Sequence, residues 1–341
     1  RVSVIIDKYV TRLNAEDTEF WTVKEVIKFL LQENTQISFT NFFDVFVAKM
    51  INERGEGQSD NYKSAYSSLR KFAGKEQFYF SEITSKLINA WIESLSHTRR
   101  AKNMYPYLIS AVFKAGTLFY NDYERSIIKI KNQPFMHVKI PDIEVAEKRA
   151  LEVEYLKKIF DYDLSSFEKT DERILGKDIA MLIFCLAGIN VRDLFLIHDS
   201  NFINGKLCYS RAKTRGKRKD KAYIEITVPE MVLPLIKKYK GTKGNLFFFS
   251  EKYHQSNSFV DIVNKGLKQI TDELQIPEKV TTYVFRHSWA TIAQNDCGAT
   301  TALVAFALNH STEYRVTKGY IKTDFSPIDR LNEKVLEFVF G

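Results

Sequence analysis

At 341 residues the chain is longer than one ordinary core supports, which calls for two domains with room for a fragment of a third. A composition 45% hydrophobic and 27% charged excludes a disordered or fibrous chain, and a formal net charge of +8 favours a polyanionic partner, nucleic acid first. Cys185, Cys208 and Cys297 are too scattered for a disulfide framework or zinc site and read as reduced core thiols of a cytosolic protein, and no run approaches the ~18 apolar residues of a membrane span.

Residues 1–35 read as helical, with Ile5, Ile6, Val10 and Leu13, then Val23, Val26, Ile27, Phe29 and Leu30 at helical spacing. They are expected to be the tail of a preceding domain or a packing arm. The opening on Arg1, without a methionine, makes the chain a piece of a longer protein in this reading. Residues 36–131 repeat the helical period four times: Phe42, Phe43, Phe46, Val47 and Met50; Tyr62, Tyr66, Leu69 and Phe72; Ile83 to Leu95; Tyr107 to Leu118. Loops are expected at Gly55-Glu56-Gly57 and at Gly74-Lys75. Residues 132–147, held extended around Pro134 and Pro141, read as a linker.

A second domain is expected over 148–341, with its first helix opening within Lys148–Glu154 and helices continuing to Ile197. Two segments, Lys206–Tyr209 and Ala222–Val228, alternate at period two around a basic turn and predict a β-hairpin. The rest is helical and ends on Leu331, Val335, Leu336, Phe338 and Phe340, an apolar helix that needs a surface to cover it. The fold class expected is mainly α with a small β-sheet.

The last quarter carries the chemistry. Arg286-His287-Ser288-Trp289-Ala290-Thr291 is followed by Leu308-Asn309-His310-Ser311 and then by Thr317-Lys318-Gly319-Tyr320-Ile321. A tyrosine hydroxyl can attack a phosphodiester while arginine and histidine hold the oxygens that gain charge. These three motifs resemble the R-H-S/T-x-A-T, L-G-H-S/T and T-x-x-Y-I patterns of the tyrosine recombinases, the phage-integrase family. The resemblance covers roughly residues 38–341, by motif in the second domain and by pattern in the first. It implies a two-domain C-shaped clamp around duplex DNA. The helical domain would contact the core site, and residues 1–35 would be the end of a truncated arm-binding domain.

On this resemblance Tyr320 is the nucleophile, with Tyr314 a distant second because His310 and Tyr320 lie ten residues apart, one more than is common. Arg286 clamps the scissile phosphate through its guanidinium fork. His310 donates to the same phosphate, and His287, adjacent to Arg286 on a helix, is expected to be structural. Lys213, in the hairpin, protonates the leaving 5′ oxygen. Two positions depart from the pattern. Aligning Asp193-Leu194 with the family's E-L places Asn190 where its first catalytic arginine stands. Arg192 lies about 200° around a helix from there. Arg211, which would share a strand face with Lys213, is preferred as the substitute. Tyr283 replaces the usual histidine and would orient a phosphate oxygen.

From Arg211 to Lys221 there are seven basic residues and one acid. The tip residues Arg215, Lys217, Arg218 and Lys219 are expected to contact DNA phosphates, as are Arg99, Arg100 and Lys102 at a helix start in the first domain. The final helix either packs on its own core or, as the resemblance implies, docks in trans on a neighbouring protomer. The activity expected is site-specific DNA recombination for integration or excision of a mobile element, through a 3′-phosphotyrosyl intermediate. No cofactor or metal is called for. Partners would be double-stranded DNA, a tetramer formed on it and DNA-bending accessory proteins, at the nucleoid in a bacterial cytoplasm. A type IB topoisomerase and a non-enzymatic DNA-binding protein descended from a recombinase are the alternatives.

Overall fold

A computed structural model describes the chain apart from residues 1–5, 7, 8, 12, 15–19, 32–35, 55, 144–148 and 311–322. The chain divides into two compact units, Arg1–Ala146 and Glu147–Gly341.

In the first unit, helix α1 (Val23–Leu31) starts at Thr22, whose hydroxyl accepts the Glu25 N–H while the Glu25 carboxylate accepts the Thr22 N–H at 2.7 Å. That reciprocal pair fixes the helix start. Four longer helices follow: α2 (Phe39–Arg54), α3 (Glu56–Ala73), α4 (Ser85–Ser94) and α5 (Ala101–Tyr120). Gly57, expected in a loop, lies inside α3, because the apolar stripe that begins at Tyr62 recruits the preceding polar turn into the helix. The core of this unit is aromatic: Phe39, Phe43, Tyr66, Phe78, Phe80, Trp91 and Phe113 are buried together. Phe80 meets Phe113 edge-on at 5.1 Å between ring centroids, an arrangement aromatic quadrupoles favour.

The second unit begins with α6 (Val153–Asp161), α7 (Glu172–Cys185) and α8 (Val191–Leu196). A sheet of three antiparallel strands follows in the order β1 (Phe202–Ile203), β2 (Lys206–Ser210), β3 (Tyr223–Thr227). Leu207 and Tyr209 on β2 and Ile224 and Ile226 on β3 are buried, as the period-two pattern requires. Short helices α9 (Leu233–Lys238) and α10 (Phe249–Lys252) lead to α11 (Ser256–Glu273), α12 (Thr282–Asn295), α13 (Thr301–Ala307) and α14 (Ser326–Phe340). Helices α7 and α11 touch backbone to backbone: a Cβ on Gly266 would sit 1.9 Å from the Glu172 carbonyl oxygen.

Helix α14 covers its own core. Ile328, Leu331, Val335, Leu336 and Val339 are buried in the same cluster as Phe285 and Trp289. Asn332, 3% exposed, accepts from the Trp289 ring N–H at 2.8 Å and donates to the Cys185 carbonyl at 2.7 Å. Within the single chain the helix docks on its own unit. Its apolar face and its buried asparagine both match α7 and α12, whereas Phe338, which carries no such partner role, is 45% exposed. Among the described residues, no helix is long and apolar enough to cross a membrane.

Candidate active site

The site is assembled where four segments of the second unit meet: the end of α7, the 211–222 turn of the hairpin, α12 and the stretch after α13. Helix α7 gives way to Ala187 and Gly188, both at positive φ (52° and 67°). A Cβ on Gly188 would press on the Arg286 Cγ and a Leu308 methyl, each at 3.2 Å, so glycine here permits both the turn and the close approach. Arg286, on α12 and only 5% exposed, donates one guanidinium N–H to the Gly188 carbonyl and another to the Leu308 carbonyl at 2.6 Å. Its second terminal nitrogen also lies 3.4 Å from His310 Nε2. An arginine has no lone pair to offer, so that ring nitrogen is the acceptor.

His310 is held well below the usual histidine range, at about 4, by partial burial of the ring and by the charges of Arg286, Arg211 and Lys213. The residue as a whole remains exposed, so the cationic neighbours weigh more than burial. Arg211 is buried, 9% exposed, and its Nη1 lies 3.4 Å from the Asn309 carbonyl. Asp193 is the carboxylate facing this group. It is buried, accepts the Ala212 N–H at 2.8 Å, and feels the charges of Arg211, Arg286 and Arg192. Burial outweighs those charges and pushes its pKa up. The Tyr209 phenol is also buried here, beside Asp193, and is pushed far above the usual tyrosine range by burial first and by that carboxylate second. Arg286 keeps its charge, although burial and the neighbouring Arg211 lower its pKa.

The anticipated residues therefore fall into groups. Arg286, Arg211 and His310 converge on the Leu308–His310 segment, and Lys213 is close enough to act on the His310 ring. The strand face expected to be shared by Arg211 and Lys213 is not formed. Strand β2 ends at Ser210, and the chain turns at once, with the Arg211 carbonyl accepting from Thr214 and Arg215. Lys213 is an exposed turn residue, and Arg211 reaches the site because its N–H continues the ladder to the Ala222 carbonyl at 3.0 Å. Asn190 is the N-cap of α8, its side chain accepting the Arg192 N–H at 3.0 Å, and Arg192 is exposed. Tyr283 is 45% exposed on α12 and packs edge-on against the His287 ring at 4.7 Å. His287 is lowered in pKa by burial and by Arg149 and Arg286.

On the hairpin tip Arg215, Lys217 and Lys219 are exposed, whereas Arg218 turns inward onto Asp220 and Asn309. In the first unit Arg99 and Arg100 are exposed and Lys102 is half-buried, around the N-cap of α5 at Arg100. Tyr320, Tyr314 and the Thr317–Ile321 motif lie outside the described residues. Sequence reasoning missed Asn309, Asp193 and Tyr209. The signal for Asn309 was its place at the glycine of L-G-H: it adopts φ 53°, a conformation that glycine and asparagine tolerate best. No group of histidine, cysteine and acidic side chains among the described residues is arranged to hold a metal ion.

Residues 38–113 match the model of the phage integrase SAM-like domain. Solved structures match the chain over most of its length, among them a lambda integrase tetramer bound to a Holliday junction (TM-score 0.60, 17% identity, 83% of this chain and 77% of that chain). It has the fold of the phage-integrase family of tyrosine recombinases. Other structures of this fold that it resembles are XerH site-specific recombinase bound to difH substrate (TM-score 0.57, 15% identity, 98% of this chain and 93% of that chain) and the Tn1549 transposon integrase with transposon right-end DNA (0.57, 13%, 89% and 100%). Among curated proteins the tyrosine recombinase XerS of Streptococcus sanguinis is 27% identical over 169 residues, 48% of this chain. The chain spans 45% of the length of that relative. Within this fold, the guanidiniums of Arg286 and Arg211 beside the His310 ring make a positively charged cluster suited to an oxyanion rather than to a neutral ligand.

Proposed function

We propose that the chain is a site-specific DNA recombinase of the integrase type, which cleaves and rejoins strands through a 3′-phosphotyrosyl intermediate. The observation that carries the reading is the gathering of two buried guanidiniums and a neutral imidazole around the Leu308–His310 segment. Asp193 is the buried carboxylate beside them, and the exposed basic turn of the hairpin adjoins them. Such a group is costly to bury unless an anion completes it.

In this reading Tyr320 gives up its phenol proton to solvent and attacks the scissile phosphorus, forming one phosphoester as the bond to the 5′ oxygen breaks. The leaving oxygen takes a proton from Lys213. Arg286 and Arg211 hold the non-bridging oxygens, with Arg211 supplying the charge absent at Asn190. His310, uncharged before DNA binds, donates a hydrogen bond there from the ring nitrogen that carries its proton. One phosphoester replaces another, so rejoining to a partner strand draws on no ATP. Double-stranded DNA is the substrate, held by Arg215, Lys217 and Lys219 of the exposed tip and by the helical unit near Arg99, Arg100 and Lys102. Four protomers on two duplexes, with DNA-bending accessory proteins, would carry exchange in a bacterial cytoplasm, in keeping with the streptococcal relatives.

Strand exchange between two labelled duplexes that carry the ends of the native element tests this reading. Recombinant joints are expected. Relaxation of supercoils without joints would favour a topoisomerase, and binding without cleavage would favour a non-enzymatic DNA-binding protein.

A further inference from the structure

The polar network behind the cradle has a feature the catalytic scheme does not use. Asn309 is 6% exposed at φ 53°, where a glycine would be free of strain. Its side chain spans two parts of the hairpin turn. Nδ2 donates to the Ala222 carbonyl at 2.6 Å, and Oδ1 accepts from Arg218 Nη1 at 2.8 Å. The same Arg218 nitrogen lies 3.1 Å from the Asn309 carbonyl. The rest of the Arg218 fork grips Asp220, Nε to Oδ1 at 2.8 Å, and that carboxylate oxygen accepts the Ala222 N–H at 3.0 Å. The contacts close a ring that runs from Asn309 to Ala222, Asp220, Arg218 and back to Asn309.

We propose that this ring is a positioning latch. Asn309, Arg218 and Asp220 lock the 211–222 turn onto the segment that presents His310 and receives Arg286, so that Arg211 and Lys213 stand at fixed distances from the phosphate. The role rests on the recombinase reading. Residue 309 is flanked by the carbonyl that Arg286 binds and by the imidazole that Arg286 also approaches. A displacement at 309 therefore moves two contacts of the cradle together, and its own carbonyl is shared by Arg211 and Arg218. A glycine would adopt the same backbone shape and leave the turn untethered. Arg218 thus acts through Asn309, with its fork occupied, instead of adding to the phosphate contacts of the exposed tip.

Asn309→Gly keeps the backbone conformation and removes both side-chain bonds, and Arg218→Gln removes the charge-assisted half. Amide hydrogen exchange on the full chain is read first. Protection across 211–222 is expected to fall by about tenfold or more in either variant, as for a segment released to local opening. Unchanged protection overturns the latch whether or not the protein cleaves DNA. On saturating nicked duplex, single-turnover cleavage is expected to fall about ten- to a hundredfold, the scale of a small misplacement of reacting groups. DNA affinity is expected to stay within about twofold, the split that separates positioning from binding. The double variant should be no slower than the slower single, because both break one ring. Loosened exchange with unchanged cleavage, or losses that multiply, would overturn the positioning role. A wild type that never cleaves would instead overturn the recombinase reading and leave the exchange result to decide the tether.

Discussion

Asn332→Leu is the sharpest perturbation of the fold that presents the site. The asparagine is buried between Trp289 and Cys185, both fully buried, and bonds the indole N–H at 2.8 Å and the Cys185 carbonyl at 2.7 Å. Cys185 ends α7, so its carbonyl is among those a helix leaves without an internal partner. Leucine fills nearly the same volume and opens little cavity, but leaves one buried donor and one buried acceptor unmatched, at about 1–3 kcal/mol each. Burying an apolar side chain in place of the amide returns about 1–2 kcal/mol. At the midpoints of these ranges the net loss is about 2.5 kcal/mol, or roughly 5–10 °C in Tm for a unit of this size. Urea unfolding of the full chain followed by tryptophan fluorescence and far-ultraviolet circular dichroism measures it. A loss below about 0.5 kcal/mol would refute both the polar bridge and the docking of α14 on its own core.

Gly266→Ala drives a Cβ into the Glu172 carbonyl, which as backbone cannot swing aside; a loss of about 3 kcal/mol is expected in the same assay, and wild-type stability would contradict the close packing of α7 and α11. His310 should titrate near 4 in the DNA-free protein, measured by the pH dependence of its ring proton shifts, and a midpoint near the ordinary ~6.5 would contradict the cationic cradle. The sign of the linkage follows from that depressed value. The unfolded chain takes up the proton first as pH falls, so the contribution of His310 to stability is complete above about 6.5 and is lost progressively down to about 4. Alanine at Arg215, Lys217 and Lys219 together should flatten the slope of log Kd against log salt by about 2–3, since each phosphate contact contributes ~0.9, and an unchanged slope would remove the tip from the DNA interface.

The helices and the hairpin were legible because their signals are local and repeated. The 3.6 period of α2 to α5 and the period-two alternation of Leu207, Tyr209, Ile224 and Ile226 each reflect one buried face. Gly57 misled because a glycine between polar residues reads as a loop until packing further along extends the helix through it. The site was legible where it repeats a motif, as at Arg286 and His310. Arg211 was reached by an argument whose geometry differs: a strand face was invoked, whereas a ladder bond to Ala222 places it. Asp193 and Tyr209 were invisible as site members because what distinguishes them is burial beside Arg286, which is distant in sequence from both. The inward turn of Arg218 could not be read from a run of basic residues, since it depends on Asp220 and on Asn309 across the fold.

The central claim is that this chain breaks DNA with Tyr320. Wild type and Tyr320→Phe incubated with nicked suicide duplexes from the ends of the native element, followed by denaturing gels and mapping of the DNA-linked peptide, test it most directly. The account predicts an adduct in wild type alone, linked at Tyr320 through a 3′ phosphate. An adduct at Tyr314, or equal trapping of the phenylalanine variant, would contradict it.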